Sequence, residues 1–132
     1  MHEITDVKHA EKCKYILIIE DEKSIQEALK VALEMEGYVV FTADNGQEGL
    51  NKLPTIPTPC LILLDLMMPV MNGWEFAEIV SKDITLATIP VVLVTAYGDR
   101  AREVTSKAVI KKPIDLDLLL KTVQKWCAGK DA

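Results

Sequence analysis

The fold is decided by residues 60–65, which read Cys-Leu-Ile-Leu-Leu-Asp. Five apolar residues without a polar interruption indicate a β-strand that is buried on both faces, and the run stops at Asp65. Residues 15–19 (Tyr-Ile-Leu-Ile-Ile) and 90–94 (Pro-Val-Val-Leu-Val) have the same character, and each is followed by a polar side chain. Strands of this kind form parallel sheets that carry helices on both sides.

Helical patterns fill the intervals between these strands. Within residues 24–36, apolar side chains follow the spacing of one buried helical stripe: Ile25, Ala28, Leu29, Ala32 and Leu33. Further helices are predicted over residues 45–53, 74–81 and 116–127, and further strands over residues 38–42 and 108–110. This alternation of strand and helix predicts an α/β fold with right-handed crossovers.

Composition limits the class of protein. The chain has 132 residues, 49% of them hydrophobic, which fits one domain with a sizeable core. A net charge of -5 argues against a DNA-binding surface, and no apolar run approaches the roughly 20 residues that a membrane span needs. The cysteines Cys13, Cys60 and Cys127 have neither zinc nor disulfide spacing, which favours the reducing cytoplasm. Residues 1–14 are expected to be a flexible arm and residues 129–132 a tail.

Polar residues of complementary type follow the predicted strands. Glu20 and Asp21 follow the first strand, Asp65 the third, Thr95 the fourth and Lys112 the fifth. Because the carboxyl ends of parallel strands share one edge of the sheet, these side chains are expected to meet there. A turn or a helix cap would explain Asp65 alone, but neither accounts for the joint pattern.

Electrostatics indicate what such a site needs. Three crowded carboxylates repel one another, and their pKa values rise unless a cation compensates. Mg²⁺ takes one or two carboxylates together with phosphate oxygens. With a lysine and a hydroxyl beside the metal, a carboxylate such as Asp65 is set up as a nucleophile toward phosphorus.

Four sequence blocks resemble the receiver domains of two-component response regulators, and in particular the stand-alone chemotaxis receivers. The blocks are residues 18–22 (IIEDE), 63–73 (LLDLMMPVMNG), 94–97 (VTAY) and 112–113 (KP). The likeness covers residues 15–128. It implies a flavodoxin-like, doubly wound sheet of five parallel strands in the order 2-1-3-4-5, with helices on both faces.

The resemblance also implies a role for each site residue. Asp65 would accept a phosphoryl group from a phosphohistidine. Glu20, Asp21 and Asp65, with the backbone carbonyl of Met67, would hold Mg²⁺, with Mn²⁺ as an alternative ion. Thr95 and Lys112 would contact the phosphoryl group, and the peptide bond between Lys112 and Pro113 is expected to be cis.

The sequence departs from the family between Thr95 and Lys112. These residues are 17 positions apart (112 minus 95), fewer than usual by more than one helical turn. The fourth helix, within residues 98–107, is therefore expected to be shortened or missing. The usual aromatic switch residue is Val109 here, so either the output runs through another surface, or residues 98–107 themselves order and disorder on phosphorylation. We favour the second hypothesis.

The implied function is a signalling switch that catalyses only its own phosphoryl transfer and autodephosphorylation. The expected phosphodonor is a sensor histidine kinase or a histidine phosphotransfer protein. The downstream protein is not specified by the sequence, and the expected state is a monomer or a weak homodimer. With no output domain after residue 128, we expect either a stand-alone receiver or a domain from a longer protein.

Three other classes of protein share part of this sequence pattern. A phosphohydrolase of the haloacid dehalogenase type needs a second aspartate where Met67 stands. A flavin-binding module would place phosphate against the acidic residues 20–22, which repel it. A degenerate receiver that acts as an unphosphorylated scaffold conflicts with the intact Asp65, Thr95 and Lys112.

Met67 and Tyr97, two positions after Asp65 and Thr95, are expected to flank the site and to slow the loss of phosphate by excluding water. Replacing both in the variant Met67→Asn/Tyr97→Ser should shorten the half-life of the phosphorylated form at least about fivefold, equal to about 1 kcal/mol of barrier. The decay of the phosphorylated protein measures this, and an unchanged half-life would contradict it.

Overall fold

The structure is a computed structural model that describes residues 13–96 and 98–128. Five parallel strands form one sheet in the order β2-β1-β3-β4-β5. The strands are β1 (Tyr15–Ile19), β2 (Val39–Ala43), β3 (Leu61–Leu64), β4 (Val91–Thr95) and β5 (Ala108–Lys111). The predicted sheet order is confirmed, and each strand boundary lies within one residue of its prediction.

Among the described residues, four α-helices connect or follow the strands. They are α1 (Lys23–Met35), α2 (Gly46–Lys52), α3 (Gly73–Ser81) and α4 (Leu116–Ala128). Between β4 and β5 the described residues form a short 3-10 helix, Gly98–Glu103, in place of a full α-helix, which confirms the predicted shortening of the fourth helix. None of the helices in the described part of the chain has the length and apolar character needed to cross a membrane.

The sheet separates two apolar layers because successive strand residues point to opposite faces. Ile16 and Ile18 of β1 pack on one side, against α1 and α4. Leu17 and Ile19 pack on the other side, where Phe76 of α3 is fully buried. Burial on both faces explains why the strands read as continuous apolar runs.

The buried face of α1 is rotated relative to its prediction. Leu29 and Leu33 are buried as expected, but Ala28 is exposed and the third buried position is Gln26. The spacing from Gln26 to Leu29 and Leu33 is helical, so a polar residue completes the stripe. Apolar spacing alone could not predict the burial of Gln26, because this side chain is buried through its hydrogen bonds.

Gly73 fixes the start of α3 beneath the edge that carries Asp65. Its N–H donates to the carbonyl oxygen of Leu66 at 2.8 Å. A Cβ atom here would overlap the carbonyl oxygen of Asp65 and would lie 2.8 Å from the Cα of Leu66. The contacts are with backbone atoms, so they leave no room for a side chain.

The substitution Gly73→Ala should therefore lower the free energy of unfolding by about 1–3 kcal/mol, the usual cost of overpacking. Urea denaturation measures the change. The matched control is Ser81→Ala, at an exposed position of the same helix, where the change should stay within about 0.5 kcal/mol. Equal stabilities of the two variants would contradict the close approach at Gly73.

Candidate functional site

The sheet itself brings the strand-end residues together. The N–H of Asp65 donates to the carbonyl oxygen of Ile19 at 3.0 Å, which fixes the end of β3 beside the end of β1. The N–H of Lys112 donates to the carbonyl oxygen of Thr95 at 3.0 Å, which fixes β5 beside β4. Backbone pairing thus places an acid, a hydroxyl and an amine on one edge.

Three carboxylates form a cluster at this edge, as the sequence predicted. Oxygen atoms of Glu20, Asp21 and Asp65 all lie within 4.8 Å of one another. Glu20 and Asp65 are only 2% and 5% exposed, whereas Asp21 faces solvent. The cluster is therefore open on one side and closed beneath by the sheet.

Asp65 is held at both of its carboxylate oxygens. Its Oδ1 accepts a hydrogen bond from the N–H of Leu66 at 2.8 Å. Its Oδ2 accepts one from the Nζ of Lys112 at 3.3 Å. The backbone and the ammonium group together fix the orientation of this carboxylate.

Glu20 divides its two oxygens between a loop and the lysine. Its Oε2 accepts a hydrogen bond from the N–H of Glu22 at 3.0 Å. Its Oε1 forms an ion pair with the Nζ of Lys112 at 2.9 Å, but the directions of the two groups do not make a hydrogen bond. A buried carboxylate oxygen is thus left without a hydrogen-bond donor.

Burial controls the protonation of the site. Removal from water raises the pKa of Asp65, although the charge of Lys112 and the N–H of Leu66 act against that rise. Burial likewise raises the pKa of Glu20. For Lys112, burial acts to lower the pKa, but contact with Glu20 and the charge of Asp65 outweigh it, and the pKa lies above its usual value.

The donor set fits a divalent cation with a preference for oxygen ligands. Three carboxylates face a single ammonium group, so the charge of these four side chains is not balanced. The Oε1 of Glu20 is a buried acceptor that lacks a hydrogen-bond donor. An ion of the Mg²⁺ type would supply the missing positive charge.

Gln26 is a site residue that the sequence analysis missed. Its side-chain amide donates to the carbonyl oxygen of Glu20 at 2.8 Å and to the Oδ1 of Asp44 at 3.0 Å. It therefore ties the acidic turn after β1 to the end of β2. The available signal was its helical spacing from the buried Leu29 and Leu33, three and seven positions later.

The structure places the remaining predicted residues around this edge. Thr95 is fully buried at the end of β4, and the bond between Lys112 and Pro113 is cis, as expected. The side chains of Met67 and Val109 are 48% and 41% exposed. Tyr97 lies outside the described residues.

The shortened segment before β5 contacts α3 through Trp74. The indole Nε1 of Trp74 donates to the carbonyl oxygen of Arg100 at 3.4 Å. The guanidinium of Arg100 lies 4.2 Å from the centre of a Trp74 ring, a cation–π contact. Residues 98–103 are thus connected to the helix that begins at Gly73, beside Asp65.

Comparison with known proteins reveals relatives along most of the chain. A family model described as "Response regulator receiver domain" matches residues 16–124. Protein PilH of Pseudomonas aeruginosa is 33% identical in an alignment of 119 residues that covers 86% of this chain and 98% of PilH. The probable transcriptional regulator ycf27 of Guillardia theta is 38% identical over 90 residues, which are 68% of this chain but 34% of that relative. The chain thus spans about a third of that regulator.

Solved structures agree with the sequence matches. The receiver domain of a signal transduction histidine kinase from Syntrophus aciditrophicus is 32% identical, with a TM-score of 0.80 over 88% of this chain and 91% of that one. TrrA of Thermotoga maritima, in complex with Mg(2+)-BeF, is 33% identical, with a TM-score of 0.76 over 86% of this chain and 98% of TrrA. Neither the phosphohydrolase nor the flavin alternative gains support from these matches. The chain belongs to the response regulator receiver domains, the phosphorylation-dependent switches of two-component systems.

Proposed function

We propose that Asp65 accepts a phosphoryl group from a phosphohistidine on a sensor histidine kinase or a histidine phosphotransfer protein. One observation carries this proposal: Asp65 is a nearly buried carboxylate, grouped with Glu20 and Asp21 and contacted by the ammonium group of Lys112. A carboxylate needs this setting to attack phosphorus, because the negative charges of both reactants must be offset.

The transfer is an in-line displacement at phosphorus. An oxygen of Asp65 forms a bond to phosphorus while the bond from phosphorus to the histidine nitrogen breaks, and the electron pair returns to the imidazole. Lys112, which contacts Asp65 and Glu20, pairs with the phosphoryl oxygens, and the hydroxyl of Thr95 donates a hydrogen bond to them.

Glu20, Asp21 and Asp65, with the backbone carbonyl of Met67, would hold the ion, which is Mg²⁺ with Mn²⁺ as an alternative. When bound, it supplies positive charge beside the phosphoryl oxygens. The same residues serve autodephosphorylation, in which water replaces the carboxylate. Met67 lies beside the acceptor with half of its side chain exposed, and together with Tyr97 it limits the access of that water.

Residues 98–107 carry the output of the switch. Val109 is partly exposed on β5 and lacks the ring that would swing inward in an aromatic switch. The contacts between Arg100 and Trp74 instead connect the short segment to α3, whose first turn lies beside Asp65. A downstream protein in the cytoplasm reads this segment, and the receiver acts as a monomer or a weak homodimer.

The variant Asp65→Asn should take up no phosphoryl group from acetyl phosphate and Mg²⁺, because an amide is not a nucleophile toward phosphorus. Mass spectrometry of the intact chain measures the uptake, and peptide mapping identifies the labelled residue. Wild type should carry one phosphoryl group, at Asp65. Labelling of the variant to the level of wild type would contradict the proposed acceptor.

Two carboxylate variants complete this test. Asp21→Asn removes an exposed member of the cluster, and labelling should slow by about tenfold or more, as expected for a weakened metal site. Asp117→Asn, which changes an exposed carboxylate of α4 by the same chemistry, is the matched control and should behave as wild type. Equal rates for all three proteins would argue against the metal ligand.

Beryllofluoride with Mg²⁺, which mimics the phosphoryl group, should change hydrogen exchange within residues 98–107. We expect exchange about tenfold slower, which corresponds to about 1.4 kcal/mol of local opening free energy. Mass spectrometry of amide exchange measures this by segment. The matched control is residues 24–36, where amide exchange on the buried side of α1 should change little. Identical exchange in residues 98–107 with and without the mimic would contradict the proposed output.

A further inference from the structure

The three cysteines, scattered in the sequence, meet at the end of the sheet opposite the phosphorylation site. Cys13 and Cys60 precede β1 and β3, and Cys127 lies in the last turn of α4, which returns the chain to the amino ends of the strands. Cys60 and Asp65 stand at opposite ends of β3, about 16 Å apart along an extended chain. Nothing in the phosphoryl site uses these thiols.

Cys60 and Cys127 are in direct contact. Their Sγ atoms are 3.2 Å apart, and the two residues are only 6% and 4% exposed. The Sγ of Cys60 also lies 3.1 Å from the carbonyl oxygen of Tyr15, so its single proton has two acceptors within reach. A disulfide is about 2.05 Å long, so the two sulfurs would have to approach each other by about 1 Å to join.

Cys13 connects this buried pair to solvent. It is partly exposed, and its Sγ lies 3.9 Å from the carbonyl oxygen of Thr58, in the loop that leads to Cys60. Its side chain also packs against the apolar cluster that contains Cys60 and Cys127. An oxidant in solution therefore meets Cys13 before it can meet the two buried sulfurs.

Burial and its neighbours disfavour the ionised form of Cys60. Contact with the thiol of Cys127, together with burial, raises the pKa of Cys60 far above its usual value, and the contact with Cys13 offsets only part of that rise. A thiol of this kind reacts slowly with an oxidant in solution. A mixed disulfide on the neighbouring, accessible Cys13 makes the attack by Cys60 intramolecular, which offsets its small thiolate fraction.

We propose that Cys60 and Cys127 are a redox-active dithiol that is oxidised to a disulfide by a low-molecular-weight disulfide such as oxidised glutathione, with Cys13 as the relay thiol. Cys13 attacks the small disulfide, forms a mixed disulfide and releases one glutathione thiol. Cys60 displaces the second glutathione thiol from Cys13, and Cys127 then displaces Cys13 from Cys60. The protein loses two protons and two electrons, which the small disulfide takes up to become two glutathione thiols, and Cys13 is a thiol again.

This bond would fasten α4 to the start of β3. It closes a loop between positions 60 and 127, and long loops gain the most from closure because the unfolded chain loses the most freedom. The oxidised protein should therefore unfold at a temperature about 10 °C or more above that of the reduced protein.

The test uses the full chain in its folded state. The protein is incubated with oxidised glutathione, free thiols are blocked with iodoacetamide, and peptides are mapped by mass spectrometry without reduction. We expect a peptide that joins Cys60 to Cys127, an alkylated Cys13, a higher unfolding temperature, and reversal of these changes by dithiothreitol. Glutathione on Cys13 with Cys60 and Cys127 both alkylated would overturn the proposal, and so would a cross-link that forms only in urea.

Variants of Cys13 and of Cys127 test the relay thiol and the disulfide separately. Cys13→Ser should give the same Cys60–Cys127 product, but at least about tenfold more slowly, because only the buried thiols remain to meet the oxidant. Cys127→Ala should form no disulfide between Cys60 and α4. If the alanine variant does not fold, Cys127→Val, which fills the space of the thiol, takes its place in the same experiment. If Cys13→Ser formed the disulfide as fast as wild type, the relay role of Cys13 would be overturned. Whether the disulfide between Cys60 and Cys127 forms at all is decided by peptide mapping of wild type.

Discussion

The site depends on one electrostatic constraint: two nearly buried carboxylates share one ammonium group, and the exposed carboxylate of Asp21 adds a third negative charge beside them. Lys112 contacts both Glu20 and Asp65, so its charge is divided between them. Burial raises the pKa of each carboxyl group, and one lysine does not fully offset that cost. The edge of the sheet therefore favours the binding of further positive charge.

The backbone maintains this unfavourable cluster. Parallel pairing aligns the ends of β1 and β3, and the N–H groups of Leu66 and Glu22 each bind a carboxylate oxygen. Gln26 secures the acidic turn from a helix that is packed into the core. The apolar layers on both faces of the sheet stabilise the fold. Their contribution offsets the unfavourable electrostatic free energy of the charged edge.

Much of the architecture could be predicted because short buried strands leave a clear apolar pattern, and every strand was located within one residue. The stripe of α1 was predicted less well, since Ala28 is exposed and Gln26 is buried. Apolar periodicity cannot identify a polar residue that is buried for its hydrogen bonds. The contact of Trp74 with Arg100 was also missed, because it joins segments 26 positions apart.

The sequence by itself determined the alternation of strands and helices and the identity of the polar residues at the strand ends, since both follow from local order along the chain. Tertiary structure alone decided which groups share a charge and which thiols touch. Cys60 and Cys127 are 67 positions apart, yet their sulfurs are in contact, because α4 crosses back to the start of β3. Such distances depend on how helices pack across the sheet, and residue spacing does not encode them.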